Sequence, residues 1–426
     1  PATKGNKVVG ALEVWEMSGC IEVRSMDIDS PDLLQEVLTA LDRFMGFFRM
    51  KGVDIVRIRE VLGKDAAELE PEQANCLKDN GFRFVNGFYA KGDFTDRTMT
   101  DEELLSYVFQ KQRVSKSANY FTVEEAVKAR GYIRNDQEMV TRVSQKILFK
   151  KVLSRGSLLR MSLLPGYVGY TTAEFAPAYR AAKAAEPEPD AKTVVSLIKD
   201  RQPISRKEMI AISPFSAERT MDLVSDLSKQ SVLYQDQDSY YYVVPAGVIS
   251  KEEALKAIMK RHFKDFGTFS AEEIALFVSS RMLIVRRTLS ELEKEGFLVK
   301  GFLLKDDPTV RWMLKEDVDT KPKIFKEMFL LNTQDNLHLY LREMIKRECG
   351  ATECVVFDGT KIIGSFFGKI SSSGAKVENF RGSDKALKHM KDVAKAQGVK
   401  FEEKKTTEED DWDVSEFYLK TNPGAI

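Results

Sequence analysis

The chain is 426 residues long, 43% hydrophobic and 31% charged, with 65 basic residues balancing 65 acidic ones. That describes ordinary globular protein in roughly three or four modules, with no apolar run near the ~18 residues that cross a bilayer and no signal-peptide pattern at the start, where Pro1 stands without a methionine, as in a processed chain or a piece of a longer one. Four scattered cysteines and three histidines supply no metal-ligand spacing, which argues against zinc and for a reducing, cytoplasmic setting, nucleoid-associated in a prokaryote.

Residues 8 to 24 alternate as two strands joined at Ser18-Gly19. Ser30-Pro31-Asp32 opens a helix, with Ser30 as N-cap and Pro31 at the first helical position. Leu34, Val37, Leu38, Leu41, Phe44 and Met45 follow at helical spacing. A strand in VDIVRIREV, a helix from about Pro71 to Lys78 and the segment GFRFVNGFYAKG complete an α+β module over 1–97.

Three segments then read as winged-helix units, over 98–188, 189–249 and 250–318. The first, less regular, carries a capping box at Thr122 and Glu125. In the second, SRKEMIAI and, after a Ser216 cap, AERTMDLVSDLSKQ precede the hairpin SVLYQDQDSYYYVV. The third has a helix from Glu252 to Phe263, a capping box of Ser270 and Glu273, a turn at Ser279-Ser280-Arg281, a helix from about Met282 to Glu295, and a wing in GFLVKGFLLK. Leu77 to Phe82 is echoed by Leu292 to Phe297, each stopping a helix at a glycine suited to the left-handed position before a hairpin.

Residues 319–426 change character to a hairpin-rich α+β module. A helix from Asn336 to Glu348 leads to strands ECVVFD and KIIGSFFGKI, turned at Asp358-Gly359. A second turn spans 371–374, a helix runs from about Ser383 to Gln397, and an acidic, solvated loop from Glu402 to Glu416 precedes the strand SEFYLK. The fold class expected is therefore α+β: tandem winged-helix domains flanked by an N-terminal and a C-terminal α+β module.

No aspartate or glutamate occurs between Glu138 and Glu174, where Arg142, Lys146, Lys150, Lys151, Arg155 and Arg160 fall between apolar positions. A local cationic row on a neutral chain reads as a docking site for a polyanion, the simpler alternative being a solvated helix face. In the third winged-helix unit Arg281, Arg286 and Arg287 stand at the start of the helix that would enter a major groove, with Lys300 on the wing. The matching helix of the second unit carries Glu218, Asp222 and Asp226 and reads as a spacer or protein-contact surface. The basic residues are the expected contacts to double-stranded or branched DNA. Gly359 to Ser365 lacks the lysine of a phosphate loop and sits in a hairpin, so no ATPase site and no cofactor are expected.

From about Tyr107 onward, the order of FQKQR, VEEAVKARGYIRND, TRVSQKILFKKVLSRG and TTAEFAPAYRAA, then FLLNTQDNL and VVFDGTKIIGSFFG, resembles a known family. It is the winged-helix DNA-binding family of AlkZ-type DNA glycosylases and of the C-terminal region of Lhr-type (large helicase-related) ATP-dependent helicases. The resemblance implies DNA repair or processing by a monomer, with a helicase motor region in the same or another chain. In the glycosylases, catalysis goes with a Gln-hydrophobic-Gln/Asp motif whose positions here are Arg134, Asn135 and Asp136, and only Asp136 agrees. The resemblance thus makes Asp136 the candidate catalytic carboxylate, to stabilise an oxocarbenium-like sugar and orient water once a base has left the stack. The alternative is that Asp136 caps a helix beginning near Gln137. Gln110 and Gln112 read as surface polar residues, and Asp335 as structural. The function expected is a DNA-binding region resembling the non-motor part of an Lhr-type protein, the alternatives being a monofunctional glycosylase using Asp136 and a scaffold whose winged helices grip other proteins.

Overall fold

The computed structural model describes residues 2–4, 7–17, 19–116, 119–144, 152, 157–183, 185, 188–236 and 238–404. They form an α+β protein that divides into two compact units, each drawn from two stretches: 1–111 with 252–323, and 112–251 with 324–426.

In the first unit, the alternating segment near the start becomes the antiparallel pair Lys7–Met17 and Cys20–Ile28. Pro31 begins a short 3-10 turn that runs into the helix Leu34–Arg49, where Leu34, Val37, Leu38, Leu41 and Met45 are buried at helical spacing. Phe44, expected on that apolar face, is 46% exposed. The helix crosses over to Ile55–Ile58, which pairs parallel with Cys20–Ile28. Phe88–Lys91 and Arg83–Val85 extend the sheet to six strands.

The later stretch of this unit runs helix Lys251–Phe266, strand Thr268–Ser270, helix Ala271–Val278, helix Met282–Lys294, and strands Leu298–Gly301 and Arg311–Leu314. Ser270 and Glu273 cap each other as expected. The hairpin differs from the expected wing: Leu298–Gly301 pairs with Arg311–Leu314, not with the residues that follow it directly. Those residues are taken up elsewhere. Phe302 packs against Phe88 and Phe94, with ring centroids 4.8 and 5.4 Å away, and the chain bridges from Gly301 to Thr95 and from Leu304 to Met99. Gly81 (φ 81°) and Gly296 (φ 70°) hold the left-handed positions that a side chain would strain.

The second unit contains two five-stranded sheets. One is antiparallel throughout, in the order Tyr241–Val243, Leu233–Gln235, Leu159–Ser162, Val168–Thr171, Tyr132–Ile133. The hairpin expected to be a free wing of the 189–249 segment is thus continuous with strands of the segment before it. Helices Pro189–Arg201, Arg206–Ile212 and Ala217–Lys229 close their own core around Val194, Ile198, Met209, Leu223 and Leu227.

The other sheet runs Met328–Asn332, Cys354–Asp358, Lys361–Ser371 and Gly374–Gly382, antiparallel, and the helix Asp384–Gln397 crosses to a parallel edge strand, Phe401–Lys404. The Asp358-Gly359 turn forms as its sequence requires, with Gly359 at φ 62°. The single helix expected from Asn336 is two, Asn336–Tyr340 and Arg342–Cys349, broken at the buried Leu341. Glu402 and Glu403 lie in the edge strand rather than in a loop; the rest of the acidic segment and SEFYLK fall outside the described residues. No helix among the described residues is long and apolar enough to cross a membrane.

Candidate functional site

Thr122 caps the helix Val123–Arg130 by accepting from the Glu125 backbone, and Gly131 ends it in the left-handed conformation. The chain then turns through the strand Tyr132–Ile133, which joins Val168–Thr171, and enters the four-residue helix Asp136–Met139. Its cap is Asn135, whose Oδ1 accepts from the Gln137 N–H at 2.9 Å. The alternative role for Asp136 is thereby corrected: the neighbouring residue does the capping. Asp136 is partly exposed and accepts from the Ser372 hydroxyl, which comes from the turn between Lys361–Ser371 and Gly374–Gly382. Among the described residues it makes no ion pair.

The neighbouring carboxylates are all consumed. Glu138 is fully buried, ion-paired to Arg130 at 2.6 Å, and accepts from the Arg134 backbone N–H at 2.8 Å. Burial pushes its carboxyl pKa up and the nearby Asp335 charge adds to this, against the pull of Arg130 and Arg142. Asp335 is buried as well, caps the helix Asn336–Tyr340, and takes both Arg142 Nη atoms in a two-pronged ion pair. Arg142 Nη2 also donates to Gln112 Oε1 at 2.7 Å and Nη1 to the Glu138 carbonyl at 2.9 Å. Gln112 is therefore not the surface residue expected, and Arg142 is not a surface cation: both are fully buried, and both Nη atoms of the guanidinium meet acceptors there.

Arg134 leaves the motif in another direction. It donates to the Thr333 carbonyl at 3.2 Å and lies 4.3 Å from the centroid of the Tyr167 ring, whose hydroxyl donates to Asn336 Oδ1 at 2.9 Å. Arg134, Thr333, Gln334, His338, Arg342 and Glu353 line a cleft of about 360 Å³. His338 Nε2 is buried without a hydrogen-bond partner. Burial, aided by the Arg134 charge and opposed by Asp335, holds the His338 imidazole down at about 4. Between the ordinary imidazole value and that one, the unfolded chain binds a proton that the folded chain refuses, so stability falls as pH falls through this window. His338→Gln should remove about 2 kcal/mol of the difference in unfolding free energy between pH 7 and pH 4.5, measured by urea titration; an unchanged difference would show that the ring is not desolvated.

The basic residues singled out in the sequence have unequal fates. Lys146, Lys150, Lys151 and Arg155 lie outside the described residues. Arg160 is exposed and donates to Gln235 Oε1 at 2.6 Å. Arg281 and Arg287 are exposed, Arg287 in an i,i+4 pair with Glu291, while Arg286 is mostly covered and paired with Glu16. Lys300 is 6% exposed and held between Asp54 at 2.7 Å and Glu293 at 2.8 Å. It ties the 298–301 strand to the N-terminal sheet, which corrects its expected place on a DNA-facing wing.

No family model and no curated protein matches the chain. Among solved structures, the DNA glycosylase AlkZ of Streptomyces sahachiroi aligns with a TM-score of 0.55 at 14% identity, over 72% of this chain and 100% of that one. The chain has an AlkZ-like fold. At that identity the likeness is one of architecture, and the AlkZ-like fold here surrounds the Asp136 turn with residues that sequence reasoning missed. Ser372 carried no signal, being distant in sequence and one of three serines in a turn. Glu138 did carry one: it closes the acid-free window directly beside the motif.

Proposed function

We propose that this chain binds duplex or branched DNA and acts in DNA repair or processing. The observation that carries the reading is the AlkZ-like fold, which spans the whole of a DNA glycosylase. The cations support it: Arg160, Arg281 and Arg287 are exposed, and the acid-free segment supplies four more whose side chains we assign to phosphates. The finer reading, tandem winged helices resembling the non-motor part of an Lhr-type helicase-related protein, rests on the order of the sequence segments. Affinity for duplex DNA should fall steeply with salt. Replacing Lys150, Lys151 and Arg155 together with alanine should lower the slope of log K against log salt by about 2–3. An unchanged slope removes this segment from the interface, and absence of binding at low salt removes the function.

One observation favours a second, enzymatic reading. Asp136 is partly exposed and outside any described ion pair, while Glu138 and Asp335 beside it are locked. A carboxylate left accessible and outside ion pairs in this way can stabilise a cationic sugar and orient water, as monofunctional base excision requires. Incubation with duplexes carrying alkylated or deaminated bases, followed by alkaline cleavage at abasic sites, tests it.

A further inference from the structure

A lysine hydrogen-bonded to the antiparallel sheet whose edge strand, Tyr132–Ile133, leads into the Asp136 turn has the surroundings of a nucleophile. Lys183 ends the helix Ala176–Lys183, and its Nζ donates to Ser162 Oγ at 2.6 Å. Ser162 is buried at the end of the strand Leu159–Ser162, its carbonyl fixed by the Ser231 hydroxyl at 2.6 Å. Arg180, three residues earlier on the helix, is partly buried and donates to the Val244 carbonyl. Arg160, two residues before Ser162, shares its face of the sheet, because side chains alternate along a strand.

None of the three cations has a carboxylate partner among the described residues. Their donors meet a serine, a carbonyl and an amide, besides the Tyr170 hydroxyl at Arg160. Tyr170 stands opposite Arg160 in the register, hydrogen-bonds to it, and feels the Asp136 charge. Ser162, Arg160 and Tyr170 thus share one face of the sheet, with Lys183 hydrogen-bonded at Ser162 and the Asp136 charge felt at Tyr170.

We propose that Lys183 is an imine-forming amine for the aldehyde of an abasic deoxyribose, giving the protein a strand-nicking activity at abasic sites. The amine must be neutral to attack, and burial holds the Lys183 ammonium down at about 8. About a tenth of it is then free amine at pH 7, against a negligible fraction for an ordinary lysine. Its Nζ adds to C1′ of the open-chain sugar and water leaves, forming the iminium. A proton is lost from C2′, the C3′–O bond breaks, and the phosphate departs on the 5′ end of the downstream strand. Water then hydrolyses the imine and restores Lys183, so one water is released and one consumed. Ser162 Oγ, already hydrogen-bonded to Nζ, is placed to relay the protons. Arg160 and Arg180 hold the flanking phosphates, while burial alone keeps the Nζ ammonium down.

The inference rests on DNA being the ligand but not on base excision by Asp136, and the assay separates the two. The full chain is incubated with a duplex holding one preformed abasic site and reduced with borohydride, which converts the iminium into a stable protein–DNA adduct. The wild type should form the adduct. Lys183→Arg, which keeps the charge but cannot make the imine, should lose it by about 100-fold or more. Its affinity for the same duplex, measured without borohydride, should stay within about threefold, since the charge at this position and the phosphate-holding Arg160 and Arg180 are unchanged. An adduct undiminished in Lys183→Arg overturns the assignment, as does a wild type that binds the duplex without forming one. Failure to bind the duplex at all overturns the proposed DNA function along with it.

Discussion

Asp335→Ala should lower the unfolding free energy by about 3–5 kcal/mol, the loss typical when one partner of a buried ion pair is removed. The pair is 0% and 1% exposed. The alanine would strand Arg142 with the neutral acceptors Gln112 Oε1, Thr141 Oγ1 and the Glu138 carbonyl, and would also uncap the helix Asn336–Tyr340 at Leu337 N. Asp335→Asn separates the two effects, because asparagine caps nearly as well as aspartate but carries no charge. It should recover about 1 kcal/mol at most. Joint replacement, Arg142→Met with Asp335→Leu, should be more stable than Asp335→Ala, since removing both charges avoids the uncompensated one. Urea unfolding of the four proteins reads all of this. A double variant as unstable as Asp335→Ala would mean that the site depends on polar geometry rather than charge compensation.

On the enzymatic reading proposed above, Asp136→Asn should lower base release by about 10²–10⁴-fold. Stability should stay within about 0.5 kcal/mol, because Asp136 supports no cap and no described ion pair. Asparagine keeps the Ser372 hydrogen bond through Oδ1 and occupies the same volume, so the only loss is the negative charge that a developing oxocarbenium needs. DNA affinity should rise slightly if it changes, since a negative charge near phosphates has been removed. Full activity in the variant would eliminate Asp136 as the catalytic carboxylate and return the protein to binding alone. A fall in affinity matching the fall in rate would point to a binding role instead.

What could be read from the sequence was what is local in it. The Ser270–Glu273 cap, the Asp358-Gly359 hairpin and the first helix with its Pro31 entry are each specified within a few neighbouring residues. The α+β class follows from such elements. The site was legible only in part, because its geometry depends on partners far apart in the chain. Arg142 reads as a surface cation because nothing near it in sequence shows that Asp335, 193 positions away, pairs with it inside. Lys300 misleads in the same way: the alternation of its strand does not reveal that Asp54, just before the strand Ile55–Ile58, pairs with it. The misplaced wing has a related cause. Phe302 and Leu303 look like a returning strand, but aromatic packing from Phe88 and Phe94 claims them first.

The antiparallel sheet that runs from Tyr132–Ile133 through Leu159–Ser162 to Tyr241–Val243 makes the two helical segments it joins inseparable. The strand Leu233–Gln235 pairs with Leu159–Ser162 at Arg160 and Met161, so a chain severed in the alanine- and proline-rich stretch between them would bare the backbone of two strand edges at once. Bared edges recruit other strands, and the fragments would tend to aggregate rather than survive as separate domains. Amides on either side of that stretch should therefore exchange with solvent in one concerted opening, as a single foldon carrying Asp136 at one border and the hairpin of the neighbouring helices at the other.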